Sequence, residues 1–159
     1  MEMMIYIGIL VLIMVVVINI LFSITSSQKK FKSAKSVENS AGYTLERITR
    51  EIRDAQTVDT SGSSFGANPG VLKLTGIDAN GNSRTVEFFV SSSTVHIKEN
   101  GVDLGRLTNA DGRVTNLTFT HITNTHSDSV KTFITIESGT STNYRSENFY
   151  STTILRGSL

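Results

Sequence analysis

Few residues in this chain are of a type and spacing that could perform chemistry. The 159 residues include no cysteine, which excludes thiol catalysis, disulfide bridges and Cys-ligated zinc or iron–sulfur sites. The three histidines, His96, His121 and His126, lie on predicted strands or a loop, at spacings that match no metal-ligand motif. No G-x-S-x-G elbow, P-loop or G-x-G-x-x-G motif is present. We therefore predict no catalytic residue, no metal site, no cofactor and no enzymatic activity.

One acidic segment shares part of the pattern of a calcium-binding loop. Asp78, Asn80 and Asn82 place side-chain oxygens at alternate positions, with Gly81 between the last two. A complete loop also has glycine at its sixth position and glutamate at its twelfth, and this segment has neither. We interpret it as an ordinary turn.

A cluster of lysines follows the apolar start of the chain, at Lys29, Lys30, Lys32 and Lys35. Such a cluster could contact anionic lipid headgroups, nucleic acid or a neighbouring helix. The formal net charge is only +1, which is not typical of a nucleic-acid-binding protein. A membrane or a neighbouring helix is therefore favoured, and a nucleic-acid partner is not indicated.

The apolar run over residues 3–22 predicts a helix that crosses a membrane. Only Gly8 and Asn19 interrupt the run, and ~20 apolar residues are needed to cross ~30 Å of hydrocarbon. The basic start, shorter apolar core and small-residue cleavage site of a secretory signal are missing. Because the lysines all follow the span, the positive-inside rule alone would place the rest of the chain in the cytoplasm.

The helix is predicted to continue well beyond the membrane. Residues 23–56 contain no proline and a single glycine, Gly42. Apolar residues at steps of three and four predict a stripe that packs on the rest of the protein. The central positions of this stripe are Ala41, Leu45, Ile48, Ile52 and Ala55.

Charged pairs four residues apart predict that the opposite face of this helix is solvated. These pairs are Glu46–Arg50, Arg47–Glu51 and Arg50–Asp54. A continuous helix from about residue 3 to residue 56 would be roughly 80 Å long.

The chain becomes β-rich from residue 57 onward. Alternating apolar residues separated by turn signals predict seven antiparallel strands, at 71–75, 84–90, 94–98, 102–107, 114–122, 130–137 and 148–155. The Asn100–Gly101 pair predicts a tight hairpin. The fold class is therefore predicted as α+β, a long N-terminal helix packed on one antiparallel sheet. Its parts are a membrane or filament-core helix (1–28), an amphipathic continuation (29–56) and a β domain (57–159).

This arrangement resembles the type IV pilin and pseudopilin superfamily. The segment LERITREIRDAQTV, residues 45–58, is similar to the end of the long helix in minor pilins and in the J-type minor pseudopilins of type II secretion. The segments VTNLTFTHI (114–122), VKTFITIES (130–138) and ILRG (154–157) are similar to the last three strands of those proteins.

The resemblance implies a route to the cell surface. A prepilin peptidase would remove a short basic leader, so that numbering begins at or near the mature N-terminus and the globular domain faces out of the cytoplasm. The subunit would wait in the inner or cytoplasmic membrane. An assembly platform and an assembly ATPase would then add it, with other pilins, to an extracellular filament.

The resemblance also implies a role for an acidic residue near the N-terminus. Family members usually carry glutamate at the fifth mature position, where it pairs with the amino terminus of a neighbouring subunit. This chain has Ile5 there, and the only acid in the run is Glu2. Because a carboxylate at the hydrocarbon boundary is costly unless paired, Glu2 is the candidate assembly carboxylate. Alternatively, Glu2 lies among headgroups, where a charge costs little. The residues expected to act in assembly and membrane insertion are Glu2, Met3, Ile5, Gly8, Leu12, Val16, Asn19 and Phe22.

Three functions are compatible with the sequence. The first is a structural pilin subunit that polymerises through its apolar helix into a homo-oligomeric helical filament. The second is a minor pseudopilin of a type II secretion pseudopilus, and the third is a membrane-anchored binding or sensor ectodomain. The unbroken helical pattern of residues 23–56 favours a filament, since an anchored sensor tolerates a flexible hinge.

Overall fold

The computed structural model describes residues 2–124 and 127–156. Met1, His126 and Gly157, which the sequence interpretation used, lie outside this part of the chain. The elements are α1 (Glu2–Asp54), β1 (Thr57–Val58), β2 (Leu72–Ile77), β3 (Ser83–Ser91), β4 (Thr94–Glu99), β5 (Val102–Arg106), β6 (Gly112–Asn124), β7 (Ser127–Ser138), a 3₁₀ turn (Ser141–Asn143) and β8 (Arg145–Ile154). The α+β class is confirmed, with one long N-terminal helix and antiparallel strands after it.

Helix α1 has 53 residues and is therefore about 80 Å long. Its polar residues near the end of the apolar run bond back to carbonyls of the preceding turn. Asn19 Nδ2 donates to Val15 O at 3.0 Å and Thr25 Oγ1 donates to Leu21 O at 2.9 Å. These bonds satisfy the polar side chains within the helix, and the backbone remains helical where serines and threonines are frequent.

The helix ends slightly earlier than the sequence predicts, after Asp54 and not at Gln56. The amide of Gln56 donates instead to Thr75 O on β2, at 2.9 Å. Strand pairing of β1 with β2 begins at the next residue. Thr57 and Val58, which precede the first predicted strand, therefore form a short edge strand that two residues separate from the end of the helix.

The strands form two antiparallel sheets, so the prediction of one sheet is wrong. The first sheet has the order β1-β2-β3-β4-β5 and the second has the order β6-β7-β8. All seven predicted strands are present, with ends shifted by a few residues. The break follows β5, where Leu107 N donates to Val95 O and Gly112 N closes a turn on Asn109 O. Because this turn redirects the chain, β6 pairs with β7 and does not continue the first sheet.

Two hairpins of the first sheet use residues in the left-handed region. Asn100 and Gly101 have φ of 49° and 85°, which confirms the predicted tight turn. Ser92 and Ser93 take φ of 49° and 59° between β3 and β4. The second turn was not predicted, because Ser-Ser is not a sequence signal for positive φ.

A single hydrophobic core joins the second half of α1 to both sheets. The helix lies mainly against β7 and β8. The Thr49 hydroxyl also lies 3.3 Å from Ser151 Oγ on β8. The largest fully buried side chains are Phe88, Phe119, Ile48, Ile52, Leu72, Leu74, Leu117, Ile134, Ile136 and Leu155.

The predicted packing stripe occupies the helix–sheet interface, with one difference. Ala41, Ile48, Ile52 and Ala55 are buried, whereas Leu45 is only partly buried at the margin of the core. The helix also buries small polar residues and one acid, namely Ser33, Ser40, Thr44 and Glu51. The interface is therefore more polar than a purely apolar stripe predicts.

Replacing Ile52 by aspartate tests this packing. Ile52 is fully buried, so Ile52→Asp would place an unpaired charge in the core and lower the free energy of unfolding by about 3–5 kcal/mol. Urea unfolding of the full chain in detergent, followed by tyrosine fluorescence and circular dichroism, measures the change. Tyr43→Asp is the matched control, because Tyr43 lies on the same helix and is 59% exposed. Equal unfolding free energies for the two variants would contradict the packing described above.

Candidate functional site

The first half of α1 is an apolar surface that nothing else in the described chain covers. Every large apolar side chain at positions 3–24 is 40–79% exposed. By length and composition this part of the helix could span a membrane, and none of the apolar window is buried inside the protein. Because a continuous apolar surface of this size is unfavourable in water, we expect lipid or other apolar helices to cover it.

The predicted assembly residues all lie on this exposed segment. Gly8 would have no atom within 4 Å of an added Cβ, so the absence of a side chain leaves an open notch on the helix surface. Glu2 is the first helical residue and is exposed. Among residues 2–124 and 127–156, no cationic group forms an ion pair with Glu2. The other members of the set, Met3, Ile5, Leu12, Val16, Asn19 and Phe22, are exposed as well.

The lysine cluster forms a basic collar immediately after the apolar surface. Lys29, Lys30, Lys32 and Lys35 are all exposed on the continuous helix. In the part of the chain that the structure describes, none of the four forms an ion pair. The collar separates the apolar half of the helix from the half that lies on the sheets.

At its other end the helix is joined to the first sheet by an ion-pair network. Glu51 is 4% exposed and accepts two hydrogen bonds from Arg84, at 2.8 Å and 3.2 Å. Arg47 approaches the same carboxylate at 2.9 Å. Arg84 Nε also donates to Glu99 at 2.7 Å, so one guanidinium joins α1, β3 and β4.

This network corrects the prediction that the charged face of the helix is wholly solvated. Glu46 and Arg50 do form an exposed pair at 3.0 Å. Glu51 instead faces the sheet and is buried. The four-residue spacing correctly predicted the pair of Arg47 and Glu51. Nothing in the sequence indicated that Arg84, 33 residues away, also binds Glu51.

The network also shifts the ionisation of its members. The hydrogen bond from Arg84 lowers the pKa of Glu99 below its ordinary value of 4.5. Reciprocally, the bond to Glu99, followed by the bond to Glu51, raises the pKa of Arg84. Both shifts favour the charged forms, so Arg84 and Glu99 remain an ion pair at neutral pH.

The remaining candidates for chemistry have structural roles. Asp78 Oδ1 accepts hydrogen bonds from the amides of Asn80 and Asn82, both at 2.8 Å, and these bonds lower the pKa of Asp78. The segment is thus an ordinary turn in which the carboxylate binds its own backbone. His96 lies 3.1 Å from Asp103 and His121 stacks on Phe65. Within the described residues no group of three or more acidic or histidine side chains could hold a metal ion.

Comparison of the chain with protein-family models, with curated proteins and with solved structures found no match. The fold and the site define an α+β protein with a single long N-terminal helix that could anchor it in a membrane. The geometry of the chain is therefore the basis for proposing a more specific function.

The Arg84 network is tested by removing its cation. Arg84→Met leaves the buried Glu51 with one cation in place of two, and we expect the free energy of unfolding to fall by about 3 kcal/mol. Arg50→Met is the matched control, because it breaks an exposed pair worth less than about 1 kcal/mol. Urea unfolding in detergent compares the two variants. A double variant with Glu51→Gln should lose less than the sum of the single losses, and strict additivity would argue against the network.

The lowered pKa of Glu99 predicts a loss of stability in acid. Because the folded-state pKa lies below 4.5, the stabilisation is complete above the unfolded-state pKa and disappears as the pH falls through the folded-state pKa. The free energies of unfolding of the parent and of Glu99→Gln should therefore differ most at neutral pH, and the difference should shrink as the pH falls below 4.5 and through the folded-state pKa of Glu99. A difference between the two proteins that is constant with pH would show that Glu99 acts without its charge.

Proposed function

We propose that this chain is a structural subunit of a type IV pilus-like surface filament, which polymerises through its apolar N-terminal helix. One observation carries the proposal: α1 continues without a break from an exposed apolar segment to the core of the globular domain. With the helix as stalk and core and the sheets as head, the chain has the arrangement that we expect of a pilin. Subunits of this shape can stack with their apolar helices inside and their sheets outside.

The coupling between helix and head supports a filament better than a simple anchor does. An anchored binding domain needs only a tether, and a flexible hinge after the membrane suffices for it. Here the helix remains helical through residues 23–27, and its later turns are fixed by the buried stripe and by the Arg84 network. A rigid connection transmits the position of the apolar half to the head, and this allows heads to repeat regularly along a polymer.

The apolar half has the chemistry that helix packing requires. Aliphatic side chains cover the segment on all sides, so each helix can contact several neighbours. Gly8 allows close approach at one point, since small residues let helices pack tightly in apolar surroundings. In a bundle of such helices, Glu2 would pair with the amino terminus of a neighbouring subunit and would thereby be neutralised.

The proposal includes a location and a set of partners. Before assembly the helix would span the inner or cytoplasmic membrane, with the globular domain outside the cytoplasm. Copies of this chain, other pilins, an assembly platform, an assembly ATPase and a prepilin peptidase would be the partners. The subunit itself would catalyse no reaction, because its role is mechanical.

Immunogold electron microscopy of surface material from cells that make this protein tests the proposal. We expect an antibody against the sheet domain to label thin filaments along their length. Glu2→Ala should leave the protein in the membrane and reduce its incorporation into filaments at least about tenfold, because its partner charge would lie unpaired in an apolar core.

Glu46→Ala serves as the control, since Glu46 is an exposed acid on the same helix, and it should assemble normally. Label confined to membranes would overturn the filament and favour an anchored ectodomain. Label only on short structures that depend on a secretion system would indicate a pseudopilin instead.

A further inference from the structure

The end of the globular domain nearest the apolar segment is built from the helix and two connections. The connection between β7 and β8 lies against Ser33, since a Cβ added at Gly139 would be 2.8 Å from Ser33 Oγ. The connection between β5 and β6 lies about two turns further along the helix, where Asn109 N donates to Ser40 Oγ at 3.2 Å. These two loops and the basic collar therefore share one surface, which faces the membrane when the apolar segment spans it.

An open cavity of about 230 Å³ lies on this surface between the helix and the β7–β8 connection. Its helix side carries two lysines and two serines, and its opposite side carries polar groups of the loops. The lining residues are Lys29, Lys32, Ser33, Ser36, Asp111, Ser138, Gly139 and Asn143. Ammonium groups with hydroxyl donors beside them are a chemistry that binds phosphate.

When the apolar segment spans a membrane, the edge of the cavity that Lys29 and Lys32 form lies next to the lipid headgroups. The unbroken run of exposed apolar side chains ends at Ile24, and Lys29 and Lys32 follow about 7.5 Å and about 12 Å further along the helix axis. The headgroup layer extends about 5–8 Å beyond the hydrocarbon on each side of a bilayer. Because a lysine side chain can reach back along the helix toward the interface, the ammonium groups of Lys29 and Lys32 can meet phosphates of the adjacent leaflet.

The neighbouring residue Phe31 supports a lipid in preference to a dissolved anion. Phe31 is 71% exposed, and its position two residues before the buried Ser33 places it on the side of the helix away from the head. An exposed aromatic side chain among lysines is typical of segments that lie at the membrane interface. Phe31 therefore favours a position of this helical turn at the membrane interface, where phospholipids supply the phosphate.

The charges around the cavity favour an anion. The nearby arginines Arg113 and Arg145 are already paired, with Glu137 and Glu147 respectively. Asp111 is the one acid in the lining. The lysines of the collar form no ion pair among the described residues, so two cations face the cavity against a single carboxylate.

We propose that Lys29 and Lys32, at the membrane-facing edge of this cavity, bind the phosphate of an anionic phospholipid. The site positions the globular domain against the membrane surface while the helix spans the bilayer. It depends on the membrane-spanning segment of the proposed function but not on filament formation. Loss of the phosphate contacts would accompany any extraction of the helix from the membrane.

Native mass spectrometry of the full-length protein in detergent, titrated with phosphatidylglycerol, tests the site. The parent should bind one phosphatidylglycerol in a saturable manner and should bind phosphatidylcholine more weakly. Lys29→Ser and Lys32→Ser should each weaken binding about fivefold, because a lysine near anionic lipid contributes that much. Asp111→Asn should strengthen binding, because it removes the one carboxylate that repels the phosphate.

Two controls separate a defined site from a general basic surface. Lys30→Ser removes a lysine of the same collar that does not line the cavity, and it should change the affinity less than twofold. Inorganic phosphate should not compete at millimolar concentration if the lipid is the ligand. Equal losses for Lys30→Ser and Lys32→Ser, or full competition by inorganic phosphate, would overturn the proposal. This experiment does not measure filaments. A negative result would therefore overturn the lipid site alone, and the electron microscopy described above would still test the filament.

Discussion

The hydrogen-bond ladder of α1 is the constraint on which the other parts of this structure depend. The helix passes without interruption from side chains that only an apolar environment can cover to side chains that close the core of the sheets. The first half needs an apolar cover, and the sheets need the second half to bury their inner faces. The stability of the head and the placement of the apolar segment are consequently properties of one element.

The head is held to the helix by two kinds of interaction that differ in specificity. The buried stripe supplies apolar area but tolerates small rotations of the helix, whereas the bidentate contact of Arg84 with Glu51 has a defined geometry. Arg84 also holds Glu99, so the rotation of α1 is tied to the β3–β4 hairpin. The buried Glu51 at the end of the stripe therefore fixes the rotation of α1, whereas a further apolar residue there would pack against the sheets without fixing it.

The sequence allows prediction of features that depend on local pattern, and it misses those that depend on distant contacts. Periodicity predicted the long helix, and alternation with turn signals predicted seven strands, because each signal extends over only a few residues. The division into two sheets depends on the turn closed by Gly112 and Asn109, which has no local signature. The burial of Glu51 was missed for a similar reason, since its main partner, Arg84, is remote in sequence. The lysine collar was visible in the sequence, but its cavity is completed by residues that lie about 80 to 110 positions further along the chain.

The side-chain bonds of Asn19, Thr25 and Ser26 to carbonyls of their own helix have a consequence for movement between environments. Because donor and acceptor belong to the same helix, moving the helix from lipid to protein surroundings breaks none of these hydrogen bonds. Such a transfer exchanges one set of dispersion contacts for another of similar strength. The free energy of each residue in the apolar segment therefore differs little between the two surroundings. The direction of its movement would accordingly be set by external work and by its charged ends, and hardly by its apolar length.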